Sequence, residues 1–269
     1  MKFKLLAFLL TINFSFSQSA DDCLSNLSIF AEYYKVKNYD SAYEPWMNVR
    51  QECPKMNAAI YSYGKRMLEH YIKTSEGEQK IAYQNDLIKL YDEWLVNFPE
   101  LRGRKIIGEI ISNKAQAMLD NKFTSKSEIY KVFDNAYSQD RSSFDDPKPL
   151  YNYFKTYYEL YKEGSDGVTL SMVFNKYEDI SERFEEVIDG YSKQLDFILK
   201  KEETGQALSS REKSNKRAFG INSNASVTYL KNLNAIIAKE STCENLVPLY
   251  RKNLEENREN PIWLNKAAS

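Results

Sequence analysis

The chain has 269 residues, with 37 Lys+Arg against 38 Asp+Glu and a formal net charge of -1. That balance gives no electrostatic reason to expect nucleic acid or an anionic membrane as partner. Only 9 Gly and 7 Pro stand against 20 Tyr and 14 Phe, which argues against sandwiches and barrels, with their frequent turns, and for helices.

The first element is a leader. MKFKLLAFLLTINFSFSQ opens on Lys2 and Lys4, runs apolar from Leu5 to Phe16, and has Ser15 and Ser17 at the small-residue positions. This is the pattern of a secretory signal peptide over residues 1–17, cut after Ser17. About a dozen apolar residues make roughly 18 Å of helix, short of the ~30 Å hydrocarbon layer, so no integral membrane segment is expected after cleavage. Cys23 follows Asp21 and Asp22 instead of a small apolar box, which disfavours lipid anchoring. The mature protein is expected to be periplasmic or secreted, with a charge that moves from -1 to -3 as Lys2 and Lys4 leave. Outside the reducing cytosol, cysteines at matched geometry pair.

Next comes a helical hairpin. Leu24, Leu27, Ile29, Phe30, Tyr33, Tyr34 and Val36 recur at helical spacing, and Lys37 and Asn38 interrupt them. Asp40 is expected to cap a second helix that turns Ala42, Tyr43, Trp46, Val49 and the stem of Arg50 inward and ends at Pro54. Two helices of about 14 residues, each about 21 Å long, bring Cys53 back beside Cys23, so a disulfide is expected there. Closing such a loop is worth roughly 3–4 kcal/mol on chain-entropy grounds. No CxxC spacing suggests redox chemistry at these thiols.

Tyr33, Tyr39, Ala42, Trp46 and Pro54 fall where the tetratricopeptide repeat has its first-helix aromatic, turn aromatic, small second-helix residue, second-helix aromatic and closing proline, and KNYDSAYEPW resembles the middle of that repeat. Phe30 stands where the repeat has a small residue. Pro45 lies inside the second helix, where a kink or a late helix start is expected.

The second hairpin begins at NAAIYSYGKRMLEHYI, with Gly64 at the small position. It continues through KTSEGEQKIAYQND as a spacer to LIKLYDEWLVNFP, with Leu87, Tyr91 and Trp94 one turn apart. A third reads RKIIGEIISNKAQAMLDNKF and SKSEIYKVFDNAYSQDRSSFDDP, in which Ser125 and Glu128 form a capping box. Pro54, Pro99 and Pro147 are read as closing prolines. PLYNYFKTYYELYKEG then supplies a helix with Leu150, Tyr153, Phe154, Tyr157, Tyr158 and Tyr161 on one face, read as packing rather than a ligand grip.

From Val168 the pattern lengthens. Val173, Tyr177, Ile180, Phe184, Val187, Tyr191 and Ile198 form a heptad-like seam on a helix of some 30 residues. KKEETGQALSSREKSNK is the polar tip, and a returning segment broken near FGINSNAS carries Val227, Leu230, Leu233 and Ile237. This hairpin reads as an enlarged repeat or a docking arm. CENLVPLYRKNLEENRENP, with Pro248 inside it, resembles another second helix, and PIWLNKAAS begins a further first helix. The array is therefore expected either to continue past Ser269 or to pair its end with something else, and Cys243 has no partner left among the three cysteines.

Chemistry-bearing motifs are scarce. His70 is the one histidine, which rules out multi-histidine metal sites, and no GxGxxG, GxxxxGK[ST] or GxSxG occurs. Asp145–Asp146 and Glu185–Glu186 are adjacent pairs that read as loop and solvated face, and Arg102–Lys105 reads as a turn.

The expectation is an all-α, non-enzymatic protein: a helical-hairpin solenoid over residues 18–165, a long hairpin insertion over 166–240 and an incomplete repeat over 241–269, with no cofactor and no metal. Its resemblance to exported tetratricopeptide-repeat scaffolds of Gram-negative bacteria implies a concave surface that binds a peptide or partner protein. The groove-facing positions it implies are Leu27, Ala31, Tyr34 and Lys35 in the first unit, and Tyr61, Lys65, Leu68 and Glu69 in the second. A second reading, a periplasmic or outer-membrane solute- or glycan-binding module on the same repeats, calls for a lipid-linked N-terminal cysteine and loop-borne aromatic platforms, neither of which is evident.

Overall fold

The computed structural model describes residues 11–247 and residue 251. They form helices α1 to α9, a further helical stretch over 243–247, one short 3-10 turn and one β-hairpin of two two-residue strands, so the all-helical expectation holds. Of the expected repeat over 241–269, only residues 241–247 and 251 are described; the remainder lies outside the described residues. None of the described helices is long and apolar enough to cross a membrane. The chain divides into two compact units at Phe123/Thr124.

In the first unit, α1 (Thr11–Lys35) and α2 (Tyr39–Glu52) form the expected hairpin. Lys37, at φ +59°, ends α1 in a left-handed residue that lets the Asn38 amide reach back to the Tyr33 carbonyl. The cap of α2 is Asn38, whose Oδ1 accepts from the Ser41 amide at 3.3 Å. Asp40 sits in the first turn instead and accepts from the Tyr71 hydroxyl. The helix runs through Pro45 and starts at Tyr39, so no late start occurs. At its far end Cys53 is bonded to Cys23, fastening the open end of the hairpin as expected.

Helix α3 (Ala59–Thr74) turns Ile60, Tyr61, Gly64, Met67, Leu68, Tyr71 and Ile72 inward. Gly64 is required by contact: a Cβ there would lie 2.5 Å from the Trp46 ring, whose indole N–H donates to the Ile60 carbonyl at 2.8 Å. The loop to α4 is much shorter than expected, because α4 (Gly77–Asn97) takes up most of the presumed spacer. Residues Glu100–Leu101 (β1) and Arg104–Lys105 (β2) pair antiparallel around Arg102 and Gly103, both at positive φ; the basic run is indeed a turn. Helix α5 (Ile107–Asp120) then packs on α4 and completes the unit.

The third expected hairpin is thus divided, because its second helix belongs to the other unit. There, α6 (Lys126–Gln139) packs against α7 (Pro147–Lys162). Ser125 caps α6 by accepting from the Glu128 amide, while the Glu128 carboxylate pairs with Lys131 at 2.7 Å. Pro147 does not close a helix; it opens α7 behind Asp146, whose carboxylate accepts from the Lys148 amide. Leu150, Tyr153, Phe154 and Tyr157 are buried, as a packing face requires, and Tyr158 and Tyr161 are half-buried.

Helices α8 (Leu170–Glu203) and α9 (Ser210–Ile237) form the long antiparallel pair. At 34 residues α8 is about 51 Å long. The returning helix is unbroken through Gly220–Ser226, and it starts with a complete Ser209/Glu212 capping box inside the stretch read as the tip. Cys243 is exposed and has no disulfide partner among the described residues.

Candidate functional site

The expected groove residues come from α1 and α3, and the structure separates them into two groups. Tyr61 and Leu68 are not surface residues: both are 0% exposed. The Tyr61 hydroxyl donates to the Pro54 carbonyl at 3.1 Å and accepts from Asn97 at 2.8 Å, and burial pushes its pKa up to about 12. They are core because α3 is held by α2 and α4 on the side that carries positions 61, 64, 68 and 72.

Leu27, Ala31 and Tyr34 on α1 and Lys65 and Glu69 on α3 are half-buried. Lys35 pairs with Glu32 at 2.7 Å, and Lys65 with Glu69 at 3.6 Å. What joins the two helices is a set of rings and one cation. Tyr34 stacks on Tyr63 with centroids 4.0 Å apart and planes 6° from parallel. Phe30 meets Tyr63 edge-on, Tyr39 leans on Tyr34, and the exposed His70 meets Tyr39 edge-on at 4.9 Å. Arg66 donates to the Tyr34 hydroxyl at 3.1 Å, a hydrogen bond that raises the arginine pKa further. It makes no ion pair with a carboxylate among the described residues.

Sequence reasoning missed Tyr63, Arg66, Tyr39 and His70 as one cluster. On α3, positions 63, 66 and 70 are three and four residues apart, so they form a stripe on the face opposite Tyr61. That periodicity was available in the sequence, but only the partner helix decides which of two amphipathic stripes faces it. His70 stands among aromatic rings at the surface.

A second concavity, of about 270 Å³, lies between α2 and α4 and is lined by Met47, Gln51, Asp86, Lys89 and Asn97. Arg50 closes its floor. Its Nε donates to Glu93 at 2.7 Å, its two Nη atoms donate to Asp86 at 3.1 and 2.9 Å, and its guanidinium lies 5.0 Å from the Trp46 ring centre. Burial opposes the charge, yet the two carboxylates raise the arginine pKa. With its donors spent inside the fold, this cation pins α2 to α4 and offers little to a ligand.

In the second unit, the Asp134 carboxylate accepts from Tyr130 at 3.1 Å, from Lys176 at 3.2 Å and from the Tyr153 hydroxyl. The rings of Tyr130, Tyr153 and Tyr157 surround the Lys176 ammonium at 4.7–5.9 Å. This is an aromatic cage whose guest is the protein's own lysine. Burial alone would raise the Asp134 pKa, but the tyrosine and lysine donors hold it below its ordinary 3.8. A carboxyl depressed on folding stabilises the fold above its unfolded pKa, and that contribution is lost as pH falls through the folded value. Asp134→Asn is therefore expected to cost roughly 1–2 kcal/mol at neutral pH and to flatten the acid dependence of the second unit's unfolding below about pH 4, measured by urea titration across pH. Equal pH slopes in the two proteins would contradict this.

No family model matches the chain, and no curated protein or solved structure is significantly similar to it.

Proposed function

We propose that the protein is an exported, non-catalytic scaffold of stacked helical hairpins, resembling tetratricopeptide-repeat arrays, that holds a peptide segment of a partner protein against the α1/α3 face. The observation that carries this reading is the Tyr34–Tyr63 stack beside Arg66. Rigid aromatic side chains with an adjacent arginine are the residues that dominate protein interfaces. Held on two helices, they give up little conformational freedom on binding. The disulfide supports the export half of the reading, since such bonds persist in oxidising compartments.

The chemistry favours a peptide over a glycan. A sugar stacks on an open aromatic face, whereas Tyr34 and Tyr63 cover one face of each other, and Phe30 and Tyr39 crowd the pair. What remains is ring edges, hydroxyls and a cation. These suit apolar or aromatic side chains followed by a carboxylate.

The test is capture of partners from the native host by the exported protein, compared with Tyr63→Ala and Arg66→Glu. Binding is expected to weaken by roughly 30-fold or more for each, the range of interface anchors. The helical signal should be unchanged. Unaltered capture of every partner by both variants would exclude this face. Mass analysis of the purified exported chain is expected to give Gln18 as the first residue; a chain that still begins at Met1 would contradict export by this leader.

A further inference from the structure

The outer surface of the α8–α9 pair is unlike an ordinary solvated hairpin in three respects. Charge is unevenly spread along it, with carboxylates gathered at the base, where Asp179 and Glu182 lie 3.8 Å from Arg141, and cations in excess at the tip, although Asp196 and Glu203 are exposed there too. The proximal half of α8 presents Glu178, Asp179, Glu182 and Glu185 around an open groove of about 540 Å³, together with Asn175 and Ser181. The distal end presents Lys200, Arg211, Lys213 and Arg217, all exposed and none paired with a carboxylate among the described residues. The cations that do pair there, Lys201 with Glu212 at 2.6 Å and Lys216 with Glu202, tie the two helices together. Large apolar side chains also stand out on the distal half: Phe197 is 62% exposed and Ile221 58%. Finally, Gly190 and Gly220 flank the Tyr191–Phe219 ring contact, and a Cβ at either would meet nothing within 4 Å. Glycine inside a helix costs roughly 0.5–1 kcal/mol relative to alanine, so two at one level of the arm leave room for another backbone at a price in stability.

These features fit one arrangement. Glu182 and Lys200 are about 27 Å apart along α8, and the midpoint between them falls at Tyr191, next to Gly190. We propose that the α8–α9 arm pairs with the arm of a second copy of this chain, antiparallel, about a two-fold axis close to Gly190 and Tyr191. The tip cations of each arm then lie on the carboxylates at the base of the other. The two hairpins form a four-helix bundle that covers Phe197 and Ile221, and the glycine level lets the backbones approach at the crossing. Parallel pairing would set like charge on like. A two-fold contact also closes on itself, so it yields a dimer and not a filament. The pairing is independent of the α1/α3 face.

Sedimentation velocity of the full chain tests it, with two variants. The tip variant carries Lys200→Glu, Arg211→Glu, Lys213→Glu and Arg217→Glu; the base variant carries Glu178→Lys, Glu182→Lys and Glu185→Lys. All seven positions lie on the outer surface, and circular dichroism checks that the helices persist. The wild-type chain is expected to sediment at twice its monomer mass and to dissociate at about 1 M salt, where charges are screened beyond about 3 Å. Each variant alone is expected to be monomeric. Mixed in equal amounts they should form a heterodimer, because both contacts of the two-fold are then between opposite charges. A monomeric wild type, a variant that stays dimeric alone, or a mixture that fails to associate would each overturn the proposal.

Discussion

Replacing Trp46 with alanine is expected to destabilise the first unit by about 3–5 kcal/mol, the range for deleting a large buried aromatic. The indole is fully buried between α2 and α3, and the change removes both its packing and the hydrogen bond to the Ile60 carbonyl. Gly64→Ala attacks the same contact from the other side. Its Cβ would press on the ring at 2.5 Å, and Trp46 is fully buried, so overpacking of about 1–3 kcal/mol is expected. With Trp46 already removed, Gly64→Ala should cost far less, because the new methyl enters the space the indole left. Urea unfolding of the two single variants and the double variant measures this coupling. Additive costs would mean that the glycine is not there for the tryptophan.

Removal of the Cys23–Cys53 bond, as Cys23→Ser with Cys53→Ser, is expected to cost about 3–4 kcal/mol. The bond closes a 30-residue loop, and on chain-entropy grounds that constraint on the unfolded chain is worth this much. The loss should fall on the calorimetric transition of the first unit and leave that of the second in place, since both sulfurs lie in the first. Alkylation gives an independent check: without reductant, Cys243 should be labelled and Cys23 and Cys53 should not. Labelling of all three would contradict the bond, and a stability change below about 1 kcal/mol would contradict its structural role.

Much of this architecture is local and could be read from spacing alone. The first hairpin, its disulfide, the Gly64 position and the long pair of helices after Val168 rest on helical periodicity and on chain length, which a sequence states directly. What failed depended on competition between neighbouring candidates. Asn38 and Asp40 are both capping residues, and the left-handed Lys37 before Asn38 decided between them. Polar stretches around Gly77 and Gly205 read as loops, yet α4 and α9 absorb much of them, since exposed polar residues are compatible with a solvated helix face. The Ser209-x-x-Glu212 signature that starts α9 is a capping box set close behind Gly205.

The candidate surface was only partly legible for a related reason. Position within a repeat predicts which residues face a groove only if the helix phase is known. Tyr61 and Leu68, outward by repeat position, are core, while Tyr63 and Arg66, half a turn around α3, meet Tyr34. An amphipathic helix packed on two sides has no free face that its own sequence identifies.

The most direct test of the surface reading is site-specific photo-crosslinking in the native host, with a photoreactive phenylalanine analogue replacing Tyr33, the exposed tyrosine that precedes Tyr34 on α1, and, as a control, Val96, exposed on α4. The account predicts a discrete crosslinked partner from position 33 that is lost when Arg66→Glu is added, and none from position 96. Equal crosslinking from both positions, or a partner from position 33 that is indifferent to Arg66, would contradict it.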